Sequence, residues 1–463
     1  MLIKNAELDG NRVADVRCRQ GVLSEIADSL DPFPGEALID AKGGALLPGL
    51  HDHHIHLHAL AAAHSSAVCG PPQVTDIRQL AAVLSAQPGT GWIRGIAYHD
   101  SVAGELNRWR LDALVSDRPV RIQHRSGKLW IVNSVAADIL ELENNRGLDG
   151  IECDDSGRPN GRLFRLDEWM RSKMGLLDPP DLTVVSRQLA SYGVTGVTDA
   201  TPGNSRVEAA AFIQAIEENT LLQRILIMGD MSLPAIIHRF AKRGAYKILL
   251  DEYRLPNIDR LTAEISEAHA QQRPVAIHCV TRTELIFALS CIRAAGQYPG
   301  DRIEHASVAP DEAIPLMRET GVAVVTQYGF IKERGDQYLV DVEPQDHRLL
   351  YRARTFLDAG VPLAGSSDAP YGMSDPWSAM RAAVKRASSN GQCIGAGEKL
   401  TPEQALALFI ASPELPGSAT RRVALGEVAD FCLLSRCWGD ARHRLDCCDV
   451  LATVKDGEPI YCR

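Results

Sequence analysis

No apolar run in these 463 residues approaches the roughly 18 that a membrane span requires, so the chain is not expected to cross a bilayer. Positive charge is scarce as well as scattered. With 49 Lys and Arg against 59 Asp and Glu the formal net charge is −10, and no basic run builds a patch for a nucleic acid. Aromatic residues make up only 5%, in a composition (45% hydrophobic, 23% charged) otherwise ordinary for a soluble protein. None of the eleven cysteines is spaced C-x-x-C, which argues against a zinc knuckle even though Cys432, Cys437, Cys447, Cys448 and Cys462 fall in the last 32 residues. Reduced, partly buried thiols of a cytosolic protein are the expectation. The opening MLIKNAELDG is charged within ten residues and lacks the apolar centre of a secretion signal, so a cytoplasmic location is expected. No short internal repeat or low-complexity tract is visible.

What is present is a rhythm. From about residue 190, short apolar runs end in a polar residue and a helix-like segment follows. The runs are 194–200, 224–230, 246–252, 275–280, 302–307, 322–327 and 361–368, and GALLPGLHDHHIH at 44–56 makes eight. Near-continuous apolar strands mark a parallel sheet buried on both faces. Eight such units predict an α/β fold, a (β/α)8 TIM barrel, with a doubly wound sheet as the rival. Polar residues at the strand ends favour the barrel, whose chemistry sits at the C-terminal ends of its strands.

The flanks break this rhythm. Residues 1–47 alternate like short antiparallel strands, and residues 418–463 do the same, which predicts a small β-sandwich built from both ends of the chain. The barrel then spans 48–417, interrupted after its first strand by an inserted subdomain at about 65–185 with strands of its own in GWIRGIAYHD and RPVRIQHRS.

The segment PGLHDHHIHLH (48–58) concentrates five histidines and an aspartate. On a strand, Asp52, His54, His56 and His58 share one face, and His51 and His53 share the other. Spacing alone does not choose between His54/His56 and His56/His58 as a ligand pair. Further strand ends offer Lys247, His278, His305 and Asp368. Nitrogen and oxygen donors gathered at one barrel mouth suit zinc or a similar divalent ion. Lys247 stands apart, because a lysine in a barrel interior shifts toward the neutral amine. Such an amine adds carbon dioxide to give a bridging carbamate; a buried ion pair with Asp251 or Asp368 is the alternative.

PGLHDHHIH, YKILLDE, VAIHC, RIEHAS and AGSSDAP resemble, in order, the metal motifs of the amidohydrolase superfamily. The wider context, including DRPVRIQHRSGKLWIVNSVAADIL, GRPNGRLFR and YGVTGVTDA, is similar to the branch with YtcJ-like proteins and N-substituted formamide deformylase (amidohydrolase family 3). The resemblance covers nearly the whole chain. It implies ligands at His54, His56, Lys247, His278, His305 and Asp368, with Asp52 as a supporting carboxylate. The cofactor it implies is Zn2+, two ions per chain bridged by carboxylated Lys247, or one. Two departures stand out: in HCVTRTEL after strand five, Thr281 and Arg282 hold the first two places of what the branch usually reads as Gly-Asp-Arg, and Lys128 stands in a segment that usually reads Gly-His. Lys128, Trp130, Arg282, Gln327 and Tyr328 are the candidates for substrate contact, with Arg125 and Tyr371 beside them.

The activity implied is hydrolysis of a C–N bond, an amide or cyclic amide, by metal-activated water with Asp368 as general base and acid. An ester or lactone hydrolase and a metal-dependent decarboxylase or isomerase are the rivals on the same barrel. A non-catalytic scaffold is the rival of another class, opposed by the filled ligand positions. The partner expected is a small molecule, and a homodimer is an assembly common in the superfamily.

Overall fold

A computed structural model describes residues 1–175 and 179–463. The chain divides into two compact units, Met1–Leu57 with Leu182–Arg463, and His58–Asp181.

The centre of the first unit is a nearly closed barrel of eight parallel strands. In chain order these are β1 (Leu50–Ile55), β2 (Val194–Asp199), β3 (Arg224–Gly229), β4 (Ala241–Leu249), β5 (Val275–Cys279), β6 (Arg302–His305), β7 (Ala323–Thr326) and β8 (Leu363–Gly365). Each pairs with the next along the chain, with β1 beside β2. β1, β2, β6, β7 and β8 are buried along their whole length, which is why their sequences run apolar without alternating. The connecting helices begin on strong stop signals. Thr281 caps Arg282–Ala295 and Ser205 caps Arg206–Glu217, each with a glutamate three residues on that returns a bond to the cap.

Two four-stranded sheets flank the barrel strands in sequence. One runs Val22–Ala27, Arg12–Arg19, Leu2–Leu8, Leu38–Asp40, and the other Glu458–Cys462, Val450–Lys455, Phe431–Leu434, Leu46–Pro48. They share one core, in which Ile3, Leu8 and Val16 pack with Phe431, Leu433 and Val454. Leu46–Pro48 leads straight into β1, so the strand bearing the histidine cluster is anchored at its start by antiparallel pairing with Phe431–Leu433.

The second unit holds a six-stranded sheet with its own apolar cores. Among the described residues, no helix is long and apolar enough to cross a membrane. All eleven cysteines are free thiols.

Candidate metal centre

The site is assembled from strand ends. Gly49 opens β1 because the neighbouring strand passes close: a Cβ there would lie 2.2 Å from Thr195 Oγ1. The strand then delivers His54, and His56 follows one residue beyond its end. Each imidazole is held by its Nδ1. That of His54 donates to Glu304 Oε2, and that of His56 lies 2.9 Å from Thr201 Oγ1. A carboxylate only accepts, so the bond to Glu304 fixes the His54 tautomer and leaves Nε2 as a lone pair. The Nε2 atoms of His54 and His56 lie 3.4 and 3.3 Å from the same oxygen, Asp368 Oδ1. Ligand atoms of the three residues all fall within 4.8 Å of one another.

His305 and His278 stand beside this trio. The His305 ring centroid is 5.0 Å from that of His54 and 4.5 Å from that of His278. His305 Nδ1 donates to Gln327 Oε1 at 2.8 Å, and Gln327 Nε2 donates to Ser366 Oγ at 2.9 Å. Lys247, on β4, is buried, and its Nζ has no hydrogen-bond partner among the described residues. Its ion-pair neighbour is Glu304, at 3.9 Å, rather than either aspartate considered from the sequence.

Glu304 is thus a hub. It is fully buried, accepts from Arg302 Nε at 2.5 Å, faces Lys247 and holds His54. Burial alone would raise its pKa, but Arg302, Lys247 and His54 keep it well below the usual carboxylate range. Asp368 behaves alike: burial pushes it up, and the imidazoles of His54, His56 and His305 more than reverse the shift. Burial lowers Lys247 to about 8 against the pull of Glu304. It also lowers His54 to about 3, helped by the charge of Lys247, and keeps the imidazole neutral. Asp52 accepts from the backbone N–H groups of Ser367 and His54 at 3.0 and 3.2 Å, tying β1 to the segment after β8, and burial raises it to about 6.

The donor set fits a divalent cation. It offers oriented imidazoles, an ionised carboxylate and a buried amine whose nitrogen has no hydrogen-bond partner among the described residues. His53 shows what such a site does not look like: it is buried with neither ring nitrogen hydrogen-bonded among the described residues. His51 turns its Nε2 to Thr198 Oγ1 at 2.9 Å.

The candidates for substrate contact are dispersed. Gln327 joins the centre, but as the group that orients His305. Tyr328 is buried, with its hydroxyl directed at the carbonyl of Arg352. Arg282 opens a helix and pairs with Asp346, so the cation seen in the sequence already has its counter-charge. Lys128 and Trp130 belong to the second unit, where Trp130 packs in the core and donates from Nε1 to Asp167 at 2.7 Å. Tyr371 meets the His56 ring edge-on at 5.6 Å between centroids. Glu304 and Thr201 were not singled out from the sequence. Glu304 was visible beside His305, yet strand alternation would send the two to opposite faces. The left-handed φ of +70° at His305 breaks the alternation and lets both reach His54.

Comparisons with known proteins place this arrangement. The model of a family described as amidohydrolases matches residues 37–461. The N-substituted formamide deformylase of Arthrobacter pascens is 25% identical, over 97% of this chain and 93% of that protein. YtcJ of Bacillus subtilis (strain 168), which carries the amidohydrolase name, is 23% identical over 91% and 90%. The crystal structure of an uncharacterized metal-dependent hydrolase from Pyrococcus furiosus shares the fold, with a TM-score of 0.72 at 22% identity, over 94% of this chain and 98% of that one.

Proposed function

Because the chain belongs to the amidohydrolase family and is a metal-dependent hydrolase acting on C–N bonds, we propose that it cleaves a linear amide, an N-substituted formamide or related N-acyl amine, with Asp368 moving the proton. The observation that carries the reading is the approach of two oriented imidazole Nε2 atoms to one oxygen of Asp368. His54, His56 and Asp368 would hold one divalent ion, with Lys247, His278 and His305 at hand for a second; zinc suits these donors. When bound, such an ion would supply a water acidified toward a pKa of about 7 and a polarised substrate carbonyl.

The residues do the rest. Asp368, ionised at neutral pH, accepts the proton of the attacking water on its carboxylate and passes it to the leaving nitrogen. The C–N bond then breaks to release a neutral amine and a carboxylic acid. Glu304 and Thr201 keep His54 and His56 from turning. Gln327, anchored on Ser366, keeps His305 aimed. Lys247 as a neutral amine would add carbon dioxide at Nζ, forming an N–C bond and losing one proton, and the resulting carbamate oxygens would serve as metal ligands.

The experiment is amine release by zinc-loaded protein from a panel of N-substituted formamides, longer N-acyl amines and cyclic imides, with a chelator-treated control. Chelator-sensitive release from the linear half supports the reading, and release from the rings alone overturns its substrate class. No release from metal-loaded protein, with turnover of esters or lactones, would overturn amide cleavage itself.

A further inference from the structure

The structure holds a second set of metal-type donors, unrelated to the barrel centre. Asp446, Cys447 and Cys448 present a carboxylate oxygen and two thiol sulfurs within 4.8 Å of one another. They lie at the start of a single 3-10 turn, Cys447–Asp449, which Asp446 caps by accepting from Cys448 N at 3.0 Å. Cys447 is half-buried, Cys448 is exposed, and neither is oxidised. We propose that Asp446, Cys447 and Cys448 form a cation site for a thiophilic divalent ion of the zinc and cadmium class.

The donor chemistry supports this assignment. Two soft sulfurs and one carboxylate provide three of the four ligands that zinc takes in a tetrahedral site, and water completes the fourth position. Charge points the same way. The Asp446 carboxylate stands beside both sulfurs and offers a negative charge to a cation. Binding of one M2+ by two thiols releases two protons, so the local net charge is the same before and after. The neighbouring guanidinium groups therefore meet no new charge. Those groups are also occupied: Arg444 Nε donates to Asp449 at 3.1 Å, and Arg381 Nη1 donates to the carbonyl of Leu445 at 2.7 Å. Arg444 Nη2 stays 3.8 Å from Asp446 Oδ2.

Thiolate ligation distinguishes this site from the barrel centre, whose gathered donors are imidazoles, carboxylate and amine. Cadmium(II) is titrated into the reduced full chain while ultraviolet absorption and proton release are followed. The expected result is a sulfur-to-cadmium charge-transfer band that saturates at one ion per chain with two protons released. Mapping of alkylated peptides should show Cys447 and Cys448 protected by cadmium while the exposed Cys393 and Cys462 stay reactive. The double variant Cys447→Ser/Cys448→Ser should lose the band and keep its hydrolytic activity. Asp446→Asn, which leaves both sulfurs in place, should weaken cadmium binding by at least the roughly tenfold that loss of a supporting group costs a metal site. Absence of the band in the wild-type chain, its persistence in the double variant, or equal protection of all four thiols would each overturn the assignment.

Discussion

His54 and His56 share a short segment with His51 and His53, and burial is common to all but His56, which is partly open. What differs is the company each keeps. His54 and His56 have partners at Nδ1 and converge by Nε2 on Asp368. His51 finds a single hydroxyl, and the His53 ring nitrogens have no hydrogen-bond partner among the described residues. Burial holds both of the latter well below the ordinary imidazole range, so they are neutral packing groups. Histidine content therefore marks the strand, while the supply of partners around it decides which rings are placed to act as ligands.

The sharpest way to break this contrast is to alter the shared acceptor. Asp368→Asn is expected to reduce turnover by about 10²–10⁴-fold, the usual contribution of a positioned proton carrier, while the unfolding midpoint holds. Wild-type kcat in that variant would remove Asp368 from the chemistry. Next comes the anchor behind His54. Glu304→Gln keeps the shape but not the charge, and metal affinity, read by competition with a chromogenic chelator, is expected to fall about 10–100-fold. Thr201→Ala is expected to fall at the lower end of that range.

The packing side is tested by acid. The folded chain keeps His51 neutral, while an unfolded imidazole takes a proton at about pH 6.5. The unfolded state thus binds more protons below that pH. Stability from this group is complete above about pH 6.5 and declines below it, by about 1.4 kcal/mol per pH unit for each such ring. Urea titrations of the metal-free protein between pH 7.5 and 5 would show it; a flat profile would mean that His51 is charged when folded. The smallest effect belongs to His53→Leu. An unsatisfied buried polar group costs about 1–3 kcal/mol, so its removal should leave metal content unchanged and the melting temperature level or higher. Loss of metal in that variant would erase the distinction between the two sets of rings.

Much of this was legible in advance, for reasons particular residues make plain. The eight barrel strands fall where apolar runs end in polar residues, because strands buried on both faces leave no room for other patterns. Lys247, His278, His305 and Asp368 were readable as strand-end donors, while the choice of His54 and His56 within the histidine cluster rested on the resemblance. Their supports were harder to see. Glu304 depends on one left-handed backbone angle, and Thr201 on a loop that brings it to His56 from a strand far along the chain. Arg282 misled for the opposite reason: its counter-charge, Asp346, lies 64 positions away and nothing local announces it.

The antiparallel pairing of Leu46–Pro48 with Phe431–Leu433 has a consequence for how the protein is made. On the ribosome, the histidine strand emerges early and its neighbours emerge late. Ser367, whose N–H binds Asp52, follows it by 315 positions, which at about 5–20 residues per second is roughly 15–60 s of synthesis. The strand that pins Leu46–Pro48 comes later still. Until both Glu304 and Asp368 have emerged, the nascent imidazoles of His54 and His56 lack one or both of the carboxylates they face. Maturation of the metal centre thus belongs to the last act of translation.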